Sequence, residues 1–521
     1  MKKYFYALTL VAFFLTSHAA DTHPITATEI DTLVQKSMKT FKVPGIAVAV
    51  VKDDKVIYAK GFGVRSLNTN QKVDDHTLFG IASNSKAFTT AALAILVDEK
   101  KIKWDDKVTD IIPEFQMYNP YVTNEFTIRD LLTHRSGLGL GAGDLMLWPE
   151  GNDITRAEII HNLRFLKPTS SFRSKYDYDN NLYIVAGEVI ARVSGMTWEE
   201  FIQKRIFQPL GMNESYPSVR SIKDHSNIVD PHVEIDGKVQ AVDAQIGDVS
   251  NAAGGINSNL YDLTKWVRMQ LNGGKYGTEQ QLFTPEAQHE MWSPQTILPV
   301  NGRNNPYNTH FEAYGLGWDL SDVKGYKQAS HTGGLTGMVT QVTLIPELKL
   351  GIVVLTNQQV GAAFASITNT IKDSYFGMPK VDRVDEYSKR LNDRTDADDK
   401  KVNAVWATVE ANQHNAATSK PDPTLLAGHY HDAWFGDVAI TYKEGVLNFQ
   451  AKHSPRLNGE LYFYKGTTYA VKWHERYMQA DAYAIFSFGV DGKPTGFTMQ
   501  AISDLTDFSY DFQDLDLKRM E

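Results

Sequence analysis

The sequence predicts a mixed α/β (α+β) protein: an antiparallel sheet flanked by helices, a helical subdomain, and a small all-β domain at the C-terminus. Three observations predict it. A helix-and-hairpin pattern opens the chain after Thr26, a second strand pair with a closing helix ends near Pro379, and short β-rich runs alternate with Gly turns from Leu425 onward. Strands at both ends of the first part, with helices between them, imply one sheet assembled from two distant stretches of chain.

The elements follow in order. Thr26-Ala27-Thr28-Glu29 has the form of a capping box, and Ile30, Val34, Met38 and Phe41 follow on one helical face. Pro44-Gly45 ends that helix. Two strands are expected at 46–51 and 55–58, joined across Asp53-Asp54. The stretch 87–97 is apolar almost all round, as a buried helix is. From about Lys101 to Gly277, helical patterns mix with Gly- and Pro-rich loops. A second strand pair is expected at 339–345 and 350–357, turning at Pro346-Glu347. Phe364, Ile367, Ile371 and Tyr375 mark one face of a closing helix, stopped by Gly377 and Pro379.

Residues 1–20 read as a secretory signal. Lys2 and Lys3 form a positive start, Tyr4 to Leu15 is mostly apolar, and Ser17-His18-Ala19 supplies small residues for cleavage near Ala19 or Ala20. The apolar run is short for a membrane span, so the expected location is periplasmic or secreted, with no stable membrane insertion after cleavage. Residues 21–378 are then the main domain and 379–424 a charged linker. Between Lys380 and Lys401, 14 of 22 residues are charged, as in a solvated linker or an exposed helix. The runs 438–442, 446–449, 468–473 and 484–488 make residues 425–521 a small β sandwich or barrel.

Composition removes several functions. The chain has 53 basic and 62 acidic residues, a net charge of −9, near −11 once Lys2 and Lys3 are cleaved off. That acidity is wrong for a nucleic-acid partner. There is no cysteine among the 521 residues, hence no disulfide framework and no thiol for lipidation. His429 and His431 alone make a poor metal site, so no metal is expected.

Three short motifs carry chemistry. In Ser83-Asn84-Ser85-Lys86, a serine and a lysine three apart share a helix face at the start of the apolar helix. Unpaired N–H groups and the positive dipole end gather there. They favour a neutral lysine able to take the serine proton. In Tyr178-Asp179-Asn180, a phenol near an ammonium can ionise below its usual pKa of about 10 and serve as base and acid. Asn180 offers an amide for a substrate carbonyl. His331-Thr332-Gly333-Gly334, expected just before a strand pair, offers backbone N–H groups to an oxyanion.

In this order the three motifs resemble the serine β-lactamase and penicillin-binding peptidase superfamily, in its class C-like branch. Leu131-Leu132-Thr133-His134-Arg135-Ser136-Gly137-Leu138, Gln208-Pro209-Leu210-Gly211-Met212 and Ala253-Gly254-Gly255-Ile256 look like further stretches of that branch. Leu426-Ala427-Gly428-His429-Tyr430 looks like the opening of a lipocalin-like domain. The resemblance implies Ser83 as nucleophile, Lys86 as its activator and Tyr178 as general base and acid. It implies Asn180, His331 and Thr332 as substrate-binding residues, and the N–H groups of Ser83 and Gly334 as the oxyanion hole. The implied activity is a serine hydrolase acting on D-amino-acid-containing peptides, amides or small esters, with no cofactor. His331 stands where class C β-lactamases usually have lysine, which argues against β-lactamase activity. The rival readings are a β-lactamase, a receptor-like penicillin-binding protein that turns over slowly, and a binding protein working through its tail. All three motifs precede Pro379, so the site is expected to be complete without the tail. The oligomeric state is not encoded in these motifs.

Overall fold

The computed structural model describes residues 23–244, 247–300, 305–414 and 420–521. The expected signal peptide, residues 1–20, lies outside the described residues. Among the described residues, no helix is long and apolar enough to cross a membrane.

Helix α1 (Ala27–Phe41) starts at the expected capping box: the Thr26 side chain accepts from the Glu29 N–H. Strands β1 (Gly45–Lys52) and β2 (Lys55–Gly63) follow, joined by Asp53 and Asp54 with φ of 50° and 62°. Two positive φ values suit a two-residue hairpin, because they match the strand twist. The apolar helix is α2 (Ser85–Asp98), with every residue from Ser85 to Leu96 buried. A helical subdomain follows, containing α3 (Asn181–Ser194), and α4 (Leu260–Leu271) returns to the sheet.

Strands β3 (Thr296–Leu298), β4 (Glu312–Tyr314), β5 (Asp319–Val323), β6 (Tyr326–Leu335), β7 (Met338–Ile345) and β8 (Leu350–Thr356) complete an eight-stranded antiparallel sheet. Its order is β2-β1-β8-β7-β6-β5-β4-β3, so the two chain ends meet where β1 pairs with β8. Helix α5 (Gly361–Tyr375) closes the domain. Side chains alternate along β1, and both faces are buried. Ile46, Val48 and Val50 pack with Ile30, Val34 and Phe41 of α1 and Ile367 and Ile371 of α5. Ala47, Ala49 and Val51 belong to the core that holds Phe88 of α2 and Trp266 of α4.

The charged stretch is a 32-residue helix, α6 (Arg383–His414). Lys36 of α1 pairs with Asp385 at 2.8 Å near its start. Farther along, Asp398 accepts from Ser503 Oγ at 2.6 Å and from the Asp504 N–H at 2.7 Å. Strands β9 (Gly428–Asp432), β10 (Gly436–Lys443), β11 (Val446–Ala451), β12 (Asn458–Lys465), β13 (Thr468–Trp473), β14 (Ala482–Phe488), β15 (Pro494–Ala501) and β16 (Asp516–Arg519) form a closed barrel.

Candidate active site

The site is built where α2 meets the sheet. Residues Ala82–Asn84 make a 3₁₀ turn that runs into α2. Ala82 has φ of 52°, a left-handed conformation that L-residues adopt at a cost. The turn is tied to β7: Thr340 Oγ1 donates to the Ile81 carbonyl at 2.9 Å and accepts from Asn84 Nδ2 at 2.9 Å. Gly333 on β6 completes the seat. A Cβ there would lie 2.3 Å from the Ile81 carbonyl oxygen and 2.5 Å from Thr340 Oγ1, so only glycine lets the strand approach the turn this closely.

The third motif precedes the β7–β8 pair, as expected, and is itself the end of strand β6. Strand β6 pairs with β5 only as far as Ser330, and residues 331–335 pair only with β7. One edge of this stretch is therefore unpaired with β5 and lines the cavity beside Ser83. Thr332 and Gly334 are exposed, and a Cβ on Gly334 would meet nothing within 4 Å.

Lys86 is fully buried. Its Nζ donates to Asn180 Oδ1 at 2.7 Å, to the Ala253 carbonyl at 2.9 Å and to Ser83 Oγ at 3.1 Å. Burial pulls the amine down from 10.5 to about 7, against the opposing carboxyls of Asp144 and Asp179. A neutral amine keeps two N–H groups, enough for Asn180 and Ala253, and turns its lone pair toward Ser83. The same group lies 4.7 Å from the centre of the Tyr178 ring and 5.1 Å from that of Tyr183. Burial pushes the Tyr178 hydroxyl well above its usual range, and a hydrogen bond with Ser83 only partly opposes this. The sequence suggested a phenol that ionises early; the structure puts the lowered pKa on the lysine.

His331 also lines the cavity, but both its ring nitrogens are engaged. Nδ1 is 2.5 Å from the Thr332 carbonyl, so it carries the proton, and Nε2 accepts from the Tyr314 hydroxyl at 2.9 Å. Burial and the nearby Lys86 push its pKa down to about 3. A neutral ring with no spare donor is poorly suited to hold a substrate carboxylate. His134 packs 4.2 Å from the Tyr178 ring and accepts the Asp179 N–H at 3.0 Å on Nδ1. It is thereby a support for the tyrosine motif.

Asn180 Nδ2 donates to Asp144 Oδ2 at 2.8 Å, and Ser509 Oγ donates to the same oxygen at 3.0 Å. Ser509 belongs to the segment between β15 and β16, so the network leaves the domain of the eight-stranded sheet and ends in the barrel. The cavity holds about 520 Å³, and Tyr477, Met478, Asp507, Phe508, Ser509 and Tyr510 of the barrel form one wall. All three motifs precede Pro379, and the barrel adds a wall to the cavity they line. Asp144, Tyr314 and Ser509 had no local signal in the sequence: a lone Asp after Gly143, a Tyr in a short strand, and a Ser far along the chain.

A family profile described as Beta-lactamase matches residues 30–374, well over half of the sequence. The chain belongs to the beta-lactamase family. A second profile, Domain of unknown function (DUF3471), matches residues 414–519, which hold the barrel of this beta-lactamase family member. Unguisins hydrolase ungD of Aspergillus violaceofuscus is 28% identical over 433 residues, covering 78% of this chain and 74% of that protein. Protein flp of Staphylococcus aureus is 26% identical over 336 residues, 63% of this chain. The chain spans 62% of that relative's length. The octameric penicillin-binding protein homologue from Pyrococcus abyssi has a TM-score of 0.60 at 21% identity and covers 89% of this chain and 97% of its own. At that identity the likeness shows the fold alone, and its coverage extends beyond the family's hydrolase domain into the C-terminal part.

Proposed function

We propose that this beta-lactamase family member forms an acyl-enzyme at Ser83 and hydrolyses small esters, amides or D-amino-acid-containing peptides, rather than β-lactams. Neutral Lys86 takes the Ser83 proton as Oγ attacks the carbonyl carbon. The N–H groups of Ser83 and Gly334 receive the oxyanion. Tyr178, kept protonated by burial, gives its proton to the leaving alkoxide or amine and regains one from the Lys86 ammonium. Water then attacks the acyl carbon by the same relay in reverse, which releases the acid and restores Ser83. Asn180 and Thr332 hold the substrate amide or carbonyl. Export to the periplasm belongs to the same reading and rests on the Lys2-Lys3 start and the apolar run after it.

One observation carries the choice of substrate. Among the described residues that line the cavity there is no lysine or arginine, and the acidic ones are Asp507 and Asp319, the latter raised by burial to about 7. A β-lactam carries a carboxylate, and such a wall gives it no cation to pair with and two acids to meet. Uncharged esters and substrates with a free amine avoid that cost. The test is a panel at pH 7.5 containing a short-chain nitrophenyl ester, a D-amino-acid amide, a D-alanyl peptide and a chromogenic cephalosporin. The ester and the amine-bearing substrates are expected to turn over faster. A cephalosporin rate matching the best ester rate would overturn this choice.

A further inference from the structure

We propose that Ser509, delivered by the barrel, is a positioning residue that orients the Asn180 amide toward Lys86 through Asp144. The inference rests on the functional reading above. Its basis is the direction of the hydrogen bonds. Asn180 presents Oδ1 to Lys86 Nζ at 2.7 Å and Nδ2 to Asp144 Oδ2 at 2.8 Å. An amide turned over would aim its NH₂ at the Nζ that now donates to it and its oxygen at Asp144 Oδ2, which already accepts from Ser509 Oγ. Asp144 therefore decides which end of Asn180 faces the lysine.

Asp144 is itself held from the barrel at two points. Its side chain accepts from Ser509 Oγ at 3.0 Å. Its backbone turn is gripped by Asp511, which accepts the Gly143 N–H at 2.6 Å and the Leu145 N–H at 2.8 Å. Asp144, Ser509 and Asp511 are all buried. The barrel segment also seats tightly on this loop. A Cβ at Gly141 would lie 2.5 Å from the Phe508 carbonyl oxygen, and the Phe508 ring stands edge-on to Tyr178 with centroids 5.6 Å apart. The barrel thus completes a chain of hydrogen bonds from Ser509 through Asp144 and Asn180 to Lys86 and Ser83. Loss of the Ser509 hydroxyl removes one of the two donors on Asp144 Oδ2 and loosens the amide that steers the lysine lone pair.

The test is a double-mutant cycle in the full chain, reading kcat and KM on a nitrophenyl ester and the rate of fluorophosphonate labelling. Ser509→Ala is expected to lower kcat roughly 3- to 10-fold, the scale of one hydrogen bond, with KM little changed. Ser509→Thr, which keeps the hydroxyl, should recover most of the loss. In an Asn180→Ala background, Ser509→Ala should cost nothing further, because the route to Lys86 is already cut. An equal loss in that background, a change confined to KM, or no loss in Ser509→Ala would each overturn the proposal. Thermal unfolding of each variant shows that the chain is folded. Labelling that persists in Ser83→Ala defeats the functional reading itself. Full dependence on Ser83 with an unchanged Ser509→Ala kcat defeats only the barrel's part.

Discussion

Lowering the pH through 7 should switch the acylation chemistry off along an acid limb set by Lys86 and the carboxyls that face it. An ordinary lysine, with pKa about 10.4, is neutral in roughly one molecule in 2,500 at pH 7. Burial brings Lys86 to about 7, so about half of its amines are then neutral. The competent base is more abundant by about three orders of magnitude, and below the limb it is lost tenfold per pH unit. The assay is the second-order rate of fluorophosphonate labelling from pH 5 to 10, with a plateau expected above about pH 8. The groups around Lys86 sharpen the reading. His331 is held at about 3 and does not titrate in this window, and burial pushes His134 well below 6.5. Burial pushes the Tyr178 hydroxyl well above 10, outside this window, and raises the Asp144 carboxyl from its usual range. Asp179, raised by burial to about 7, does titrate there. Its negative charge favours the ammonium, so Asp179→Asn should slide the limb to lower pH. A rate still climbing tenfold per unit between pH 8 and 10 would refute the argument, as would a limb that disappears in Asp179→Asn.

Two further outcomes follow from the same geometry. Lys86→Ala and Tyr178→Phe should each slow acylation by at least ~100-fold, the scale of a lost proton-transfer group, and a Tyr178→Phe rate near normal would remove the phenol from the mechanism. Gly333→Ala drives a methyl group to 2.3 Å from the Ile81 carbonyl oxygen, so it should cost roughly 1–3 kcal/mol of stability, as overpacking does, and impair labelling; an unchanged denaturation midpoint and labelling rate would contradict the tight seat.

The parts of the fold with strong local patterning were legible in the sequence. The capping box at Thr26, the largely apolar α2 and the β7–β8 pair came from spacing alone, because each repeats its signal over several residues. The barrel was legible for the same reason. Strands β3 and β4, three residues each, were not, since so short a run shows no period. In the site, Ser83, Lys86, Tyr178, Asn180 and the Gly333-Gly334 pair lie in motifs whose chemistry is local, and the structure brings all but Lys86 around one cavity, with Lys86 buried behind Ser83. What stayed hidden was long-range. Asp144 and Ser509 meet across 365 positions of chain, and the direction of the proton balance depends on burial, which a motif does not carry. His331 lines the cavity, but its bond to Tyr314 could not be read from either residue's neighbours.

The account depends most on the bond formed at Ser83. Incubation with a fluorophosphonate or a slowly hydrolysed ester, followed by intact mass and peptide mapping, measures it directly. A single adduct on the peptide carrying Ser83 is predicted, formed at a rate that matches ester turnover and absent, together with turnover, in Ser83→Ala. An adduct on another serine, or esterase activity that survives in Ser83→Ala, would contradict the account.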